Sequence, residues 1–87
     1  MKHASHHDII NRLKRTDGHL RKVISMIEDG RPCMDLAQQL HAVERAVSAA
    51  KKTLIQDHID ECLSDPRPDP ADHAALIQEL RDITRYL

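Results

Sequence analysis

Apolar residues in the first third of the chain recur at the three- and four-residue steps of an α-helix. They predict a first helix from about His6 to Asp29, which Gly30 ends and which Pro32 separates from the next element. The apolar stripe of this helix consists of Ile9, Leu13, Leu20, Ile24 and Ile27.

A second helix is predicted from about Cys33 to Leu63, with no Gly or Pro inside it. Its apolar stripe alternates steps of four and three, close to a heptad seam: Leu36, Leu40, Val43, Val47, Ala50 and Leu54. About thirty residues make a helix roughly 45 Å long. One chain can cover such a helix only in part, so we expect helix 1 to fold back along one side and a second copy to cover another.

A third helix is predicted from about Ala71 to Tyr86, after a Pro-rich connector at residues 64–70. Residues 1–7 are predicted to be a mobile leader, and residues 1–87 to form a single domain. Because aromatic residues make up only 1% of the chain, the core suits helix-on-helix packing better than a sheet. We therefore predict an all-α fold of three helices per chain, paired into an antiparallel dimer with a four-helix core.

The composition also limits the location and the class of protein. No apolar run is long enough for a membrane span, and the N-terminus is too polar for a secretory signal, so we expect a cytoplasmic protein without a membrane partner. Two cysteines in a reducing compartment are more typical of ligands or reactive thiols than of a disulfide. No nucleophile–base set, phosphate loop or HExxH motif is visible, which argues against an enzyme.

Charge is distributed unevenly along the chain. Residues 1–56 hold ten Lys/Arg against six Asp/Glu, whereas residues 57–87 hold three against eight. The first helix concentrates Arg12, Lys14, Arg15, Arg21 and Lys22. Such a cluster is either a solvated helix face or a patch for the phosphate backbone of DNA, and oligomerisation would multiply its effect.

Three soft metal ligands lie on the stripe of the second helix. His58 and Cys62 are four residues apart and share one face. Cys33 is 25 residues from His58, roughly 37 Å along a straight helix, so the two cannot meet within one chain. Two copies paired antiparallel, with the two-fold axis near Ala46 and Val47, would bring Cys33 of one chain to His58 and Cys62 of the other.

Two thiolates and one imidazole suit trigonal Cu(I), or Zn(II) or Ni(II) when a fourth ligand is added. The N-terminal segment offers three candidates for that fourth ligand: His3, His6 and His7. A polar leader without a metal role is the alternative interpretation of these histidines. For His58 and Cys62 the alternative is a packed histidine and an inert buried thiol, and oxidation could also join Cys33 to Cys62 of another chain.

Two stretches of the chain resemble the copper-sensing operon repressor family, which includes nickel/cobalt and formaldehyde sensors. They are "NRLKRTDGHLRKVISMIEDGRPCMDLAQQLHAVERAV" and "DHIDEC", and the resemblance extends over about residues 8–86. It implies an all-α dimer that pairs into a homotetramer. It also implies repression of an operon by binding operator DNA without a helix-turn-helix, with release when the effector binds.

The resemblance also implies roles for individual residues. The Cu(I) ligands of the copper sensors match Cys33 of one subunit and His58 and Cys62 of the other. A glutamate behind the metal site matches Glu79. Three basic residues match, or lie near, the positions that contact DNA in the family: Arg12, Lys51 and Lys52.

Some residues depart from the copper-sensor pattern and leave other effectors open. Pro32 stands where copper sensors often have Tyr. Nickel sensors of the family recruit a histidine from the N-terminal segment, and this chain offers three. Formaldehyde sensors resemble the chain around Cys33, but they have Pro where this chain has Lys2. The sequence thus predicts a repressor released by Cu(I); the alternatives are a Ni(II)/Co(II) sensor, a thiol-reactive sensor, and a cytosolic metal buffer that binds no DNA.

Overall fold

Three α-helices make up the fold, as predicted. The structure, a computed structural model, describes residues 5–64 and 70–87. Its elements are α1 (His6–Glu28), α2 (Cys33–Ser64), α3 (Pro70–Ile83) and a 3₁₀ turn (Thr84–Tyr86). The described residues contain no strand, so the all-α prediction is confirmed. Residues 1–4 of the predicted leader and 65–69 of the predicted connector lie outside the described residues.

A glycine turn joins α1 to α2. Gly30 has φ of 75°, a left-handed conformation that strains any residue with a Cβ. The Arg31 amide donates to the Met26 carbonyl at 3.0 Å, and the Gly30 amide donates to the Ile27 carbonyl at 3.1 Å. These two hydrogen bonds form a Schellman motif, which satisfies the last carbonyls of α1 and reverses the chain.

The helices α1 and α2 pack as an antiparallel hairpin. Buried apolar side chains from both helices meet between them: Ile9, Val23 and Met26 from α1, and Val43 and Ala50 from α2. An interhelical hydrogen bond joins His19 Nε2 to Gln39 Oε1 at 2.6 Å. Because α1 and α2 are antiparallel, this pairing of His19 with Gln39 puts the start of α1 alongside about Lys52, in the second half of α2.

Half of the heptad seam of α2 stays uncovered in the single chain. Val43 and Ala50 are buried, whereas Leu40, Val47 and Leu54 remain 39–47% exposed. An exposed apolar stripe also follows α1 through Leu13, Leu20, Ile24 and Ile27. The hairpin therefore buries one side of α2 and presents a second apolar side to its surroundings.

The last helix lies against the C-terminal part of α2 and buries Leu76. The prediction of a regular helix to Tyr86 is wrong in its final turn. There the Leu87 amide donates to the Thr84 carbonyl at 3.2 Å, the tighter spacing of a 3₁₀ turn. Across residues 5–64 and 70–87, no helix combines the length and the apolarity that crossing a bilayer requires.

Candidate metal centre

Two turns of α2 and one turn of α3 bring three metal-ligating side chains together. The Nε2 atom of His58 lies 3.5 Å from Cys62 Sγ, one helical turn away. It also lies 3.1 Å from Glu79 Oε1 on α3. Potential ligand atoms of these three residues all fall within 4.8 Å of one another, close enough for one ion.

Burial differs sharply across this cluster. Cys62 is only 2% exposed, the His58 side chain is 20% exposed, and the Glu79 side chain is 55% exposed. The thiol thus lies in the apolar interior and the carboxylate at the surface. When Nε2 of His58 carries the ring proton and donates it to Glu79, Nδ1 keeps the lone pair that a metal needs.

The third predicted ligand is not part of this cluster. Cys33 is the first residue of α2, and it is an exposed free thiol. It lies 25 residues before His58 on the same helix, roughly 37 Å away. One chain therefore supplies one soft pair at one end of α2 and one lone thiol at the other.

Two of the three N-terminal histidines are among the residues that the structure describes. His6 and His7 belong to the first turn of α1, beside the second half of α2. His6 is half-buried, and the exposed His7 has its Nε2 3.4 Å from the Asn11 side-chain amide nitrogen. His3 lies outside the described residues. His6 and His7 therefore lie at the end of the hairpin that is nearer to His58.

The basic residues proposed from the sequence are all exposed. Arg12 and Arg15 line a depression between the two long helices, and its remaining walls are Thr16, His19, Ala46 and Ala49. Lys14 lines a neighbouring depression with the same two arginines. Arg21 instead pairs with Asp17 at 3.3 Å, which offsets part of its charge. The basic side chains of α1 therefore differ in how freely they can meet a phosphate.

Three residues of the candidate sites were not found from spacing in the sequence. The contact of Glu79 with His58 had no signal in spacing, because a connector separates α2 from α3, and only the resemblance pointed to it. Thr16 and His19 were missed as walls of the basic depression. Their spacing from Arg12, four and seven residues, is that of one helix face and could have revealed them.

Comparison with known proteins identifies the family. Residues 5–86 match the family model described as metal-sensitive transcriptional repressor. The chain belongs to this family. Its relatives include the copper-sensing transcriptional repressor CsoR of Mycobacterium ulcerans (strain Agy99), 35% identical over 77 residues. CsoR of Bacillus subtilis (strain 168) is 36% identical over 75 residues, which are 86% of this chain and 73% of that protein.

The metal-sensitive repressors also include a structural neighbour of this chain. The nickel-responsive transcriptional regulator InrS superposes with a TM-score of 0.81 at 28% identity, over 100% of this chain and 98% of that one. The match to the Mycobacterium ulcerans protein covers 88% of this chain and 65% of the relative, so the chain spans about 65% of that protein's length.

The family is one of transcriptional repressors and not of enzymes, as the lack of a catalytic motif predicted. Its members respond to metals, and the relatives named above respond to two different ones, copper and nickel. Membership in the family therefore does not choose between these two metals.

Proposed function

We propose that the protein represses transcription by binding operator DNA while it is free of metal, and that it releases the DNA when Cu(I) binds between two chains. The proposed ligands are His58 and Cys62 of one chain and Cys33 of the other. The observation that supports this most directly is the cluster at the end of α2, where a buried thiol and an imidazole lie 3.5 Å apart. Two thiolates and one imidazole are a complete soft set for Cu(I).

The uncovered seam of α2 supports a ligand from a second chain. Leu40, Val47 and Leu54 are spaced by sevens and remain exposed, as expected for a helix that packs against a partner. An antiparallel partner centred near Val47 covers all three. The same register brings the partner's first α2 residue to the His58 end, and two-fold symmetry repeats the site at the opposite end.

In this proposal Glu79 orients the histidine without binding the metal. Its carboxylate accepts a hydrogen bond from Nε2 of His58 at 3.1 Å, which leaves Nδ1 available as the ligand atom. A carboxylate partner of this kind fixes the ring and makes the imidazole a better donor. Bound Cu(I) would thus join α2 and α3 of one chain to the start of α2 in the other.

Replacing Glu79 by Gln should weaken Cu(I) binding about tenfold, the lower end of the range for outer partners of a ligating histidine. The lower end applies because the Glu79 side chain is 55% exposed. Competition with a Cu(I) chelator measures the affinity, and the number of ions bound per chain should stay unchanged. Asp82→Asn is the matched control on α3, since Asp82 pairs with Arg85 instead. An affinity equal to that of the wild type would show that Glu79 does not orient His58.

The basic depression is the proposed DNA contact. Arg12 and Arg15 face it from α1, and Ala46 and Ala49 leave space for a phosphate on the α2 side. On α2, Ala49 points about 200° around the helix from Val47. The depression therefore stays open when a partner covers the seam, so one dimer can present basic surfaces and metal sites together.

Coupling between metal and DNA would act through the shape of the assembly. Metal at the ends of α2 fixes the relative position of the two chains, and the arginine pairs of both chains must match the duplex at the same time. By linkage, operator DNA must weaken metal binding by the same factor by which metal weakens DNA binding. Equal metal affinity of the free and the DNA-bound protein would contradict this mechanism.

A Ni(II) or Co(II) sensor is the second candidate function. The start of α1 lies alongside about Lys52 in the hairpin, so His6 is roughly 9 Å from His58 along the α2 axis. The nickel-responsive InrS is similar along the whole chain. Square-planar Ni(II) accepts nitrogen and sulfur donors together, so an N-terminal histidine would complete the set.

Anaerobic titration of the reduced protein with Cu(I) and with Ni(II), with and without operator DNA, tests the proposal. We expect one tight Cu(I) per chain, lost in His58→Ala, together with release of DNA. A square-planar Ni(II) spectrum that disappears when residues 1–7 are removed would support the second candidate instead. DNA release by formaldehyde, abolished only by Cys33→Ala, would indicate the thiol-reactive sensor, and absence of DNA binding would indicate a metal buffer.

A further inference from the structure

A shallow depression lies on the exposed seam of α2. It is lined by Glu44, Val47, Ser48 and Lys51. Val47, Ser48 and Lys51 follow Glu44 by three, four and seven residues. Four side chains with this spacing form the hole that accepts one side chain, the knob, of a facing helix in a coiled coil. A hole of this kind can receive one side chain of a partner helix.

The two ends of this hole carry opposite charges. Glu44 and Lys51 are exposed, and neither pairs with another described residue of its own chain. They lie seven residues apart, about 10.5 Å along the helix. Val47 occupies the centre and is 47% exposed. A two-fold rotation centred near Val47 exchanges the acidic and the basic ends of the hole. The same surface on a second chain therefore places its Lys51 opposite Glu44 and its Glu44 opposite Lys51.

Three features of α2 share one centre. The hole from Glu44 to Lys51 is centred between residues 47 and 48, and the exposed stripe from Leu40 to Leu54 is centred on residue 47. The register that joins Cys33 to the partner's metal-binding end is centred at residues 46–47. These positions agree within about one residue, or roughly 1.5 Å of helix.

We propose that Glu44 of each chain forms an ion pair with Lys51 of its partner, and that these two symmetric pairs fix the orientation and register of the α2 helices. The inference rests on the antiparallel dimer of the proposed function. A parallel pair would place each residue level with its own copy, like charge beside like charge, which is unfavourable. A shift of one helical turn would separate the pairs and move Cys33 away from His58 and Cys62.

This assignment gives Lys51 a role other than contact with DNA. On the α2 helix Lys51 points about 160° away from Ala49, which lines the basic depression. It flanks the seam, at a position where charged residues of paired helices set partner choice. Loss of Lys51 should therefore change association between chains before it changes the contact with a phosphate.

Charge reversal at the two positions tests the pairing. Glu44→Lys and Lys51→Glu should each weaken self-association about tenfold, because two ion pairs become two like-charge contacts. A mixture of the two variants should form mixed dimers, in which both contacts are again between opposite charges. In an equal mixture we expect more than about 80% mixed dimers by native mass spectrometry of differently tagged chains.

Two tagged forms of the wild-type chain are the control, with about half of the dimers mixed by random pairing. The preference of the variants should fade at about 1 M salt, where the screening length is short. If about half of the dimers in the variant mixture are mixed, and the wild-type dimer still binds metal, the Glu44–Lys51 pairing is overturned and the proposed function stays intact. A wild-type chain that stays monomeric and binds no metal would overturn both.

Discussion

Replacing Cys62 by alanine should lower the affinity for Cu(I) more than about a hundredfold, beyond the effect of losing an outer partner. Cys62 is 2% exposed and its Sγ lies 3.5 Å from His58 Nε2, so alanine at this position removes a buried donor beside the imidazole. Competition with a Cu(I) chelator measures the loss. DNA held by the variant should then no longer be released by Cu(I), which fluorescence anisotropy of labelled operator DNA would show.

The adjacent substitution Leu63→Ala is the control, because Leu63 is 68% exposed and carries no ligand atom. It should leave both metal binding and DNA release unchanged. Removing one buried sulfur costs the fold about 1 kcal/mol, so circular dichroism should show the same helix content in Cys62→Ala as in the wild type. A Cys62→Ala protein that keeps its Cu(I) affinity would rule out this site.

The second large effect is expected at the basic depression. The double substitution Arg12→Ala and Arg15→Ala should weaken operator binding about tenfold to a hundredfold and reduce the salt slope by about two for each contacting chain. Both arginines face the same depression, so they would meet neighbouring phosphates. Titrations of labelled DNA at several salt concentrations give the affinity and the slope together.

Arg85→Ala controls for loss of positive charge as such. Arg85 is exposed and pairs with Asp82 at 3.6 Å on the far side of the connector. Its removal should leave the salt slope within experimental error of the wild type. Equal effects of Arg85 and of the two α1 arginines would mean that DNA responds to net charge and not to the depression. Cu(I) affinity without DNA should stay the same in all of these proteins.

The sequence predicted the helices well where local chemistry decides them. Gly30 and Pro32 mark the turn between α1 and α2, and the structure places the helix ends within about one residue of the prediction. Thr84–Tyr86 differs, because the choice between an α turn and a 3₁₀ turn at a chain end depends on small differences in hydrogen bonding.

The candidate site was predictable only in part. Spacing by four was enough to pair His58 with Cys62, because one helix holds both residues. The contact with Glu79 depends on how α3 returns to α2, and no local pattern encodes that return. Similarly, the periodicity of the α2 stripe did not separate Val43, which is buried in the hairpin, from Val47, which stays 47% exposed. The choice of metal depends on donors contributed by more than one segment.

Complementation between defective chains tests whether two chains share each metal site. Cys33→Ala and Cys62→Ala homodimers should each lack tight Cu(I) binding. A mixed dimer, isolated through two different tags, keeps one intact site made of Cys33 from one chain and His58 with Cys62 from the other. We expect one Cu(I) per mixed dimer, bound at wild-type affinity. Full Cu(I) binding by the Cys33→Ala homodimer, or no binding by the mixed dimer, would contradict it.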